Sequence, residues 1–362
     1  MRHSVLIGIA FSAVWALGGC GGSGGAAFSP TSTVQAPTSN VGPALHYSAP
    51  VEVSGGFGAT IVNVSPNGQM IGQSSNGTSM YWASPTATPA IVNTGGYPTA
   101  VITGINNAGQ MVGGLSNGPQ FLPAYWSSPS AAPTFLTTQT TNAVAITINA
   151  SGQIVGYVNP GNNSTAAYWS SPTATAIPLA GIGGQPSPGS QALRISDGGL
   201  IYGYLFGEEL MWTTTSSNAV VLALPTNGAP AGNSLLGYGF DQETGEIGGS
   251  YRALGGNDLA FQWSLPGYTF GLLPVPSGYT EASSLMNIGP NHFGVGYFVP
   301  GGQTHACIWP TLSKACVDLT TLIPSGTNWT LEYASFVTDS GIIIGPGLSP
   351  TDQSTYYTVH PS

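Results

Sequence analysis

Ile148-Asn149-Ala150-Ser151-Gly152-Gln153-Ile154-Val155-Gly156 is one of seven versions of a single phrase. The version before it, Ile105 to Gly113, reads INNAGQMVG, and the one after it, Ile195 to Gly203, reads ISDGGLIYG. Aligned on the closing glycine, the copies end at Gly72, Gly113, Gly156, Gly203, Gly249, Gly296 and Gly345, in steps of 41, 43, 47, 46, 47 and 49 residues. Self-similarity at that period points to the blades of a propeller, each too small to bury its apolar face alone.

Around the phrase, each repeat breaks into four strand-like pieces. In the third, Ala143 to Ile148 is rich in β-formers, and Ala150-Ser151-Gly152 makes a tight turn. Gln153 to Val158 returns, Ala166-Ala167-Tyr168-Trp169 follows a polar loop, and Ile177-Pro178-Leu179 closes the unit after a Ser-Ser-Pro turn. Short β-branched runs between Gly, Asn, Ser and Pro are strand and hairpin signals, and no segment keeps a helical period with caps. Pro178 suits an outer edge strand, where a missing N–H goes unused.

Two recurrences have bland explanations. The third piece ends in Trp82, Trp126, Trp169, Trp212, Trp263, Trp309 or Tyr357, an aromatic best read as packing between blades. The sharper alternative, a ring of indoles stacking on carbohydrate, would need them exposed on one rim. The turn glycines Gly68, Gly109, Gly152, Gly198, Gly245 and Gly341 supply positive φ at no steric cost, with Asn291-His292 taking that place in the sixth copy.

The last repeat lacks a fourth strand after Tyr356-Tyr357-Thr358-Val359. Pro50 to Phe57 matches Ala90 to Tyr97, the piece that completes the first repeat. The expected fold is therefore all-β, a seven-bladed β-propeller with four-stranded blades, closed by an N-terminal strand that completes the last blade. Such a seam leaves only short sheet edges.

Ahead of the repeats lies a different kind of sequence. Arg2, the apolar run Val5 to Leu17 and Leu17-Gly18-Gly19-Cys20 resemble a bacterial lipoprotein leader, residues 1–19, with cleavage and lipidation at Cys20. An ordinary signal peptide with an incidental cysteine, or a short anchor, is the competing reading. The resemblance implies a membrane partner through acyl chains on Cys20, and Gly21 in place of Asp implies outer-membrane sorting, facing either the periplasm or the outside. Residues 20–45, rich in Gly, Ser, Thr, Pro and Ala, read as a flexible tether with a span on the order of 25–30 Å. Residues 46–362 form the propeller, expected as a monomer.

Charged residues make up 5% of the chain and the net charge is −9, so clustered cations for phosphate contacts are missing and no nucleic-acid partner is expected. Cys307 and Cys316 flank a predicted strand–turn–strand; a cross-hairpin disulfide is plausible in an oxidising compartment, and two buried thiols on facing strands is the alternative.

The repeats resemble the HAF family of bacterial extracellular repeats. The resemblance is carried by the Ile-Asn, turn, Gly-Gln, Gly phrase, and most closely by His305-Ala306-Cys307-Ile308-Trp309, Val317-Asp318-Leu319 and Asp339-Ser340-Gly341. It implies an exported propeller and carries no activity of its own.

Candidate chemistry is thin. In a propeller, ligands usually meet the loops joining strands two to three and four to the next one. Polar groups expected there are Glu208, Glu209, Arg252, Asp258, His305 and Asp352. A carboxylate pair among them could serve glycoside cleavage, with Arg252 on an anionic group; a thinly charged, solvated rim is the plainer reading. Asp241-Gln242-Glu243-Thr244-Gly245-Glu246 faintly suggests calcium ligands but coincides with the repeat turn. No catalytic, cofactor or metal residues are assigned. The reading is a tethered, non-catalytic binding or scaffolding module with an envelope protein or glycan partner. A polysaccharide-acting envelope enzyme using rim carboxylates is the alternative, and surface adhesion a third possibility.

Overall fold

The computed structural model describes residues 46–362 apart from 117, 119–120, 139–141, 160–162, 223–233, 253–255, 266 and 278–281. The leader, Cys20 and the tether lie outside the described residues.

Seven antiparallel sheets follow one another along the chain, six of them four-stranded in simple up-and-down order. In the third blade the inner strand is Ala143–Ile148, the second Ile154–Val158, the third Thr165–Trp169 and the outer Ile177–Pro178. Inner strands of successive blades face one another around a central channel. The last blade returns to the first through Asp339, whose backbone N–H donates to Pro66 O at 2.7 Å.

The seam lies where the repeats place it. Val51–Glu52 pairs with the third strand of blade seven, Val51 opposite Thr358 and Glu52 opposite Tyr357. Beyond it, Tyr47 bridges Pro361, and Ser362 N donates to His46 O at 3.1 Å. The register differs by one residue from the sequence match. Val51 takes the place of Ala90, since Val53 and Val92 are the buried residues that follow the two outer strands and Trp82 and Trp126 bond to Ser54 and Asn93. The diglycines pull the alignment the other way because blade one carries an extra residue before Gly95.

Blade seven departs in another respect. Its inner strand is split into Thr330–Leu331 and Phe336–Val337, both paired with Ile343–Leu348, so this sheet has five strands rather than four.

The recurring aromatics are the packing residues. Trp82, Trp126, Trp169, Trp212, Trp263 and Trp309 have no exposed surface. Blade seven corrects the sequence reading: Tyr357, also buried, stands opposite Gly345, and Val359, opposite Ile343, takes the place that the indoles hold opposite Met70, Met111 and Ile154. Each indole removes roughly 150–250 Å² from water. The indole N–H of Trp82, Trp126, Trp169, Trp212 and Trp309 also donates to the carbonyl of Ser54, Asn93, Thr137, Ala180 and Pro274, at 2.5–3.0 Å. Each acceptor follows the outer strand of the preceding blade. One residue thus fills the gap between two sheets and locks their outer edges.

The closing glycine of the phrase has a separate cause. In blades one to six the inner strand carries a β-bulge, as between Ala145 and Thr147. The second strand passes so close that a Cβ at Gly72, Gly113, Gly156, Gly203 or Gly296 would lie 2.0–2.2 Å from an inner-strand carbonyl oxygen, and one at Gly345 would lie 1.8 Å from a carbonyl oxygen as well. No side chain fits there. In blade seven the obstructing oxygen belongs to Tyr333, within the gap that splits the inner strand. Among the turn glycines, the fourth copy corrects the sequence reading: Gly199, with φ of 85°, and not Gly198, holds the left-handed position.

Candidate functional site

Antiparallel order gives the ring two unlike faces. One carries the turns between inner and second strands, together with those between third and outer strands. The other carries the second-to-third turns and the connections into the next blade.

On the first face the repeated phrase stitches neighbouring blades. Asn149 Oδ1 accepts from Gln153 N at 2.9 Å, while its Nδ2 donates to Gln153 Oε1 at 2.8 Å and to Ser196 O in the next blade at 3.0 Å. Asn106 repeats the pattern, with Gln110 and Asn149 O as partners. Gln69 in turn accepts from the Tyr81 hydroxyl at 3.2 Å. Gln110 and Gln153 likewise bond the third-strand Tyr125 and Tyr168, so in the second and third blades asparagine, glutamine and tyrosine form one hydrogen-bonded unit.

A cavity of about 310 Å³ occupies the channel at this face. Inner-strand and turn residues line it, among them Val62, Ile105, Phe240, Met286, Ile288 and Phe336. Its charged groups are Arg194, Asp197, Asp241, Glu243 and Asp339, none of which belongs to the expected rim. Burial raises the Asp241 pKa to about 6, against hydrogen bonds from Thr244 and Glu243 N. Those bonds occupy its oxygens: Oδ1 accepts from Glu243 N at 2.9 Å and Oδ2 from the Thr244 hydroxyl at 2.5 Å. This turn is a cap, and its carboxylate is spent on Glu243 N and the Thr244 hydroxyl rather than offered to calcium. Glu246 is also taken, facing His292 Nδ1 at 2.6 Å.

The expected rim residues fall on the second face, dispersed over four blades, and the cavity takes in none of them. Glu209 turns inward at the side of blade four. Its Oε2 accepts from the Tyr202 hydroxyl at 2.5 Å, and burial pushes its pKa up to about 7 against that bond. Arg252 and Asp258 stand opposite each other across one hairpin, with Nε donating to Oδ1 at 2.8 Å. His305 Nδ1 lies 2.7 Å from Asp318 Oδ2, and Asp318 also caps a short turn through Thr320 N. Glu208 is exposed on blade four, while Asp352 is exposed on blade seven at a φ of 57°. These groups pair locally or stand exposed rather than converge.

Cys307 and Cys316 are both buried in the core between blades five and six, and they are free thiols in the structure. They adjoin: burial and the neighbouring Cys316 thiol push the Cys307 pKa well up. The expected pairing therefore appears as contact, without the bond.

Sequence reasoning missed Arg194 and the cavity. The signal available was an arginine inside the fourth copy's inner strand, Ser190 to Ile195, where the other copies place uncharged residues, Asn63, Gly104, Thr147, Gly239, Asn287 and Phe336.

The structure is a seven-bladed β-propeller, and comparison with solved structures agrees. YCF48 bound to D1 peptide matches with a TM-score of 0.52 at 10% identity, over 88% of this chain and 99% of that one. YCF48 from Cyanidioschyzon merolae gives a TM-score of 0.53 at 10% identity, over 86% and 99%. The WD40 repeats of RRP9 give 0.50 at 10% identity, over 89% and 99%. At such identities the likeness is one of fold. No protein-family model and no curated protein matches the chain, so the resemblance to HAF repeats rests on the residues that carry it.

Proposed function

We propose that this chain is a lipid-anchored binding module of the cell envelope, held through Cys20 and docking a protein partner on its second face. The observation carrying this reading is the placement of exposed aromatics relative to the chain ends. Phe57, Phe121 and Phe206 are 64%, 38% and 76% exposed, and all three lie at second-to-third turns or the connection beside one. The chain enters the fold at His46, on the opposite face beside Ser362. A tether leaving there would turn the aromatic face away from the membrane, toward partners.

A protein surface fits this face better than a glycan. Phenylalanine offers apolar area without a polar tip for hydroxyls, and the six recurring indoles that could stack on sugars are inside. The enzyme alternative gains no support from carboxylates already engaged by Tyr202, Arg252 and His305.

A photo-crosslinking amino acid placed at Phe57 in cells tests the reading against one placed at Asn107 on the first face. Protein adducts confined to Phe57, and reduced in Cys20→Ala, are expected. Equal adducts from both sites, or adducts to glycan alone, overturn the docking face. Acyl labelling that persists in Cys20→Ala overturns the anchor. Export carries a corollary: an oxidising envelope would close Cys307 and Cys316 into a bridge, leaving no titratable thiol in the denatured mature protein.

A further inference from the structure

The chain contains four lysines and arginines. Arg2 belongs to the leader-like segment, Lys314 is exposed on a turn of blade six, and Arg252 is held by Asp258. Arg194 is the exception. It follows the bulge in the inner strand of blade four, where register slips between Ala192 and Arg194, and a bulge re-aims the side chain after it. The side chain lines the central cavity.

Within the protein, its guanidinium has little to do. Nη1 donates to Leu193 O at 3.0 Å, and among the described residues no carboxylate pairs with it. Surrounding protein strips it of water, which lowers its pKa from the usual value, with Tyr202 opposing in part. The acids along the same wall are no substitute: Asp197 Oδ1 accepts from Ala150 N at 2.8 Å, and Asp241 caps its own turn. Arg194 is part-buried in the channel wall, and a part-buried cation with unused donors gains from an anion that completes it.

We propose that Arg194 anchors a ligand site in the central cavity for a small monocarboxylate with an apolar body. The carboxylate would sit in the fork of the guanidinium, a planar match that two parallel N–H donors favour. The hydrocarbon part would lie against Val62, Ile105, Met286 and Phe336. A single cation neutralises a single negative charge. Asp197, Asp241, Glu243 and Asp339 along the same wall oppose any anion, a dianion such as succinate or phosphate about twice as strongly as a monocarboxylate held in the guanidinium fork. The volume sits at the small end of ligand pockets, which run from roughly 300 to 1,000 Å³. This site lies on the face opposite the one proposed for protein docking and stands independently of it.

Benzoate and hexanoate are the probes, with succinate and phosphate as controls, titrated into the purified full chain and followed by melting temperature and calorimetry. A saturable rise in melting temperature with benzoate or hexanoate is expected. Arg194→Gln should weaken binding about ten- to a hundredfold, as loss of a charged hydrogen-bond partner does. Without probe it should melt no lower than the parent, because it removes an uncompensated charge. Met286→Trp, which fills the cavity and keeps the arginine, should also lose the response. Absence of a saturable response in the parent overturns the proposal. So does an undiminished response in Arg194→Gln, or a response to succinate and phosphate as strong as to benzoate.

Discussion

The two faces of this propeller are built on different terms. On the first, turns answer to their neighbours: Asn106 bonds to Asn149 O, Asn149 to Ser196 O, and Asp197 N to Gln242 O. On the second, ties between blades run through the strand ends, Phe121 N to Asn142 Oδ1 and Ala166 N to Ser190 Oγ, beside local pairs such as Arg252–Asp258 and His305–Asp318, and Phe57, Phe121 and Phe206 stand exposed. The turn of the recurring phrase lies on the first face, where contacts between blades recur from copy to copy. Where no neighbour dictates the side chain, the sequence drifts from copy to copy. The lesson is that a repeat's signature marks the shared scaffold, while the residues that distinguish one copy from another, Arg194 foremost, mark individual chemistry.

Breaking the seam is the severest test. Deleting His46 to Gly56 removes the outer strand of blade seven, the buried Tyr47 and Val53, and the acceptor of the Trp82 indole. Loss of the cooperative thermal transition is expected; an unchanged midpoint would mean that the ring does not depend on its closure.

Next comes the contrast between two glycines of one phrase. Gly156→Ala places a methyl 2.0 Å from Val144 O, a backbone atom, and should cost more than about 4 kcal/mol. Gly152→Ala meets nothing closer than 4.0 Å and suffers only its φ of 76°, costing roughly 1–2 kcal/mol. Chemical denaturation of both variants checks the order, and a reversal would refute the bulge as the reason for the closing glycine.

Glu209 sharpens the comparison from the second face. Its pKa is raised by burial from 4.5 to about 7, so the folded state keeps a proton that the unfolded state has already lost. That difference lowers stability as pH climbs from about 4.5 toward 7, by a few kcal/mol at most. Glu209→Gln should flatten this slope and melt higher than the parent at pH 8, with little difference at pH 4. Smallest of all, Phe57→Ser should change stability by less than about 0.5 kcal/mol, since the ring packs on little. Its effect should appear only in partner crosslinking.

Much of this was legible in the sequence for a physical reason. Seven copies repeat the same local demands, so the spacing revealed the blades, the aromatic revealed the packing between them, and Pro50 to Phe57 revealed the seam. Legibility failed where the cause is non-local. The closing glycine answers to a bulge in a neighbouring strand, visible only once the register is known. Gly198 and Gly199 are equivalent on paper, and the turn decides between them. The rim was chosen by exposure to loops, yet Glu209 turns inward to Tyr202 and the open volume lies at the other mouth of the channel.

Taken by itself, the chain determined what local periodicity can carry: strand order, blade number, the turn residues and the joining of its ends, all set by patterns within about fifty residues. Only the assembled ring decided which polar groups meet. Arg194 gathers meaning from walls contributed by distant blades, because a cavity on the axis belongs to no single repeat.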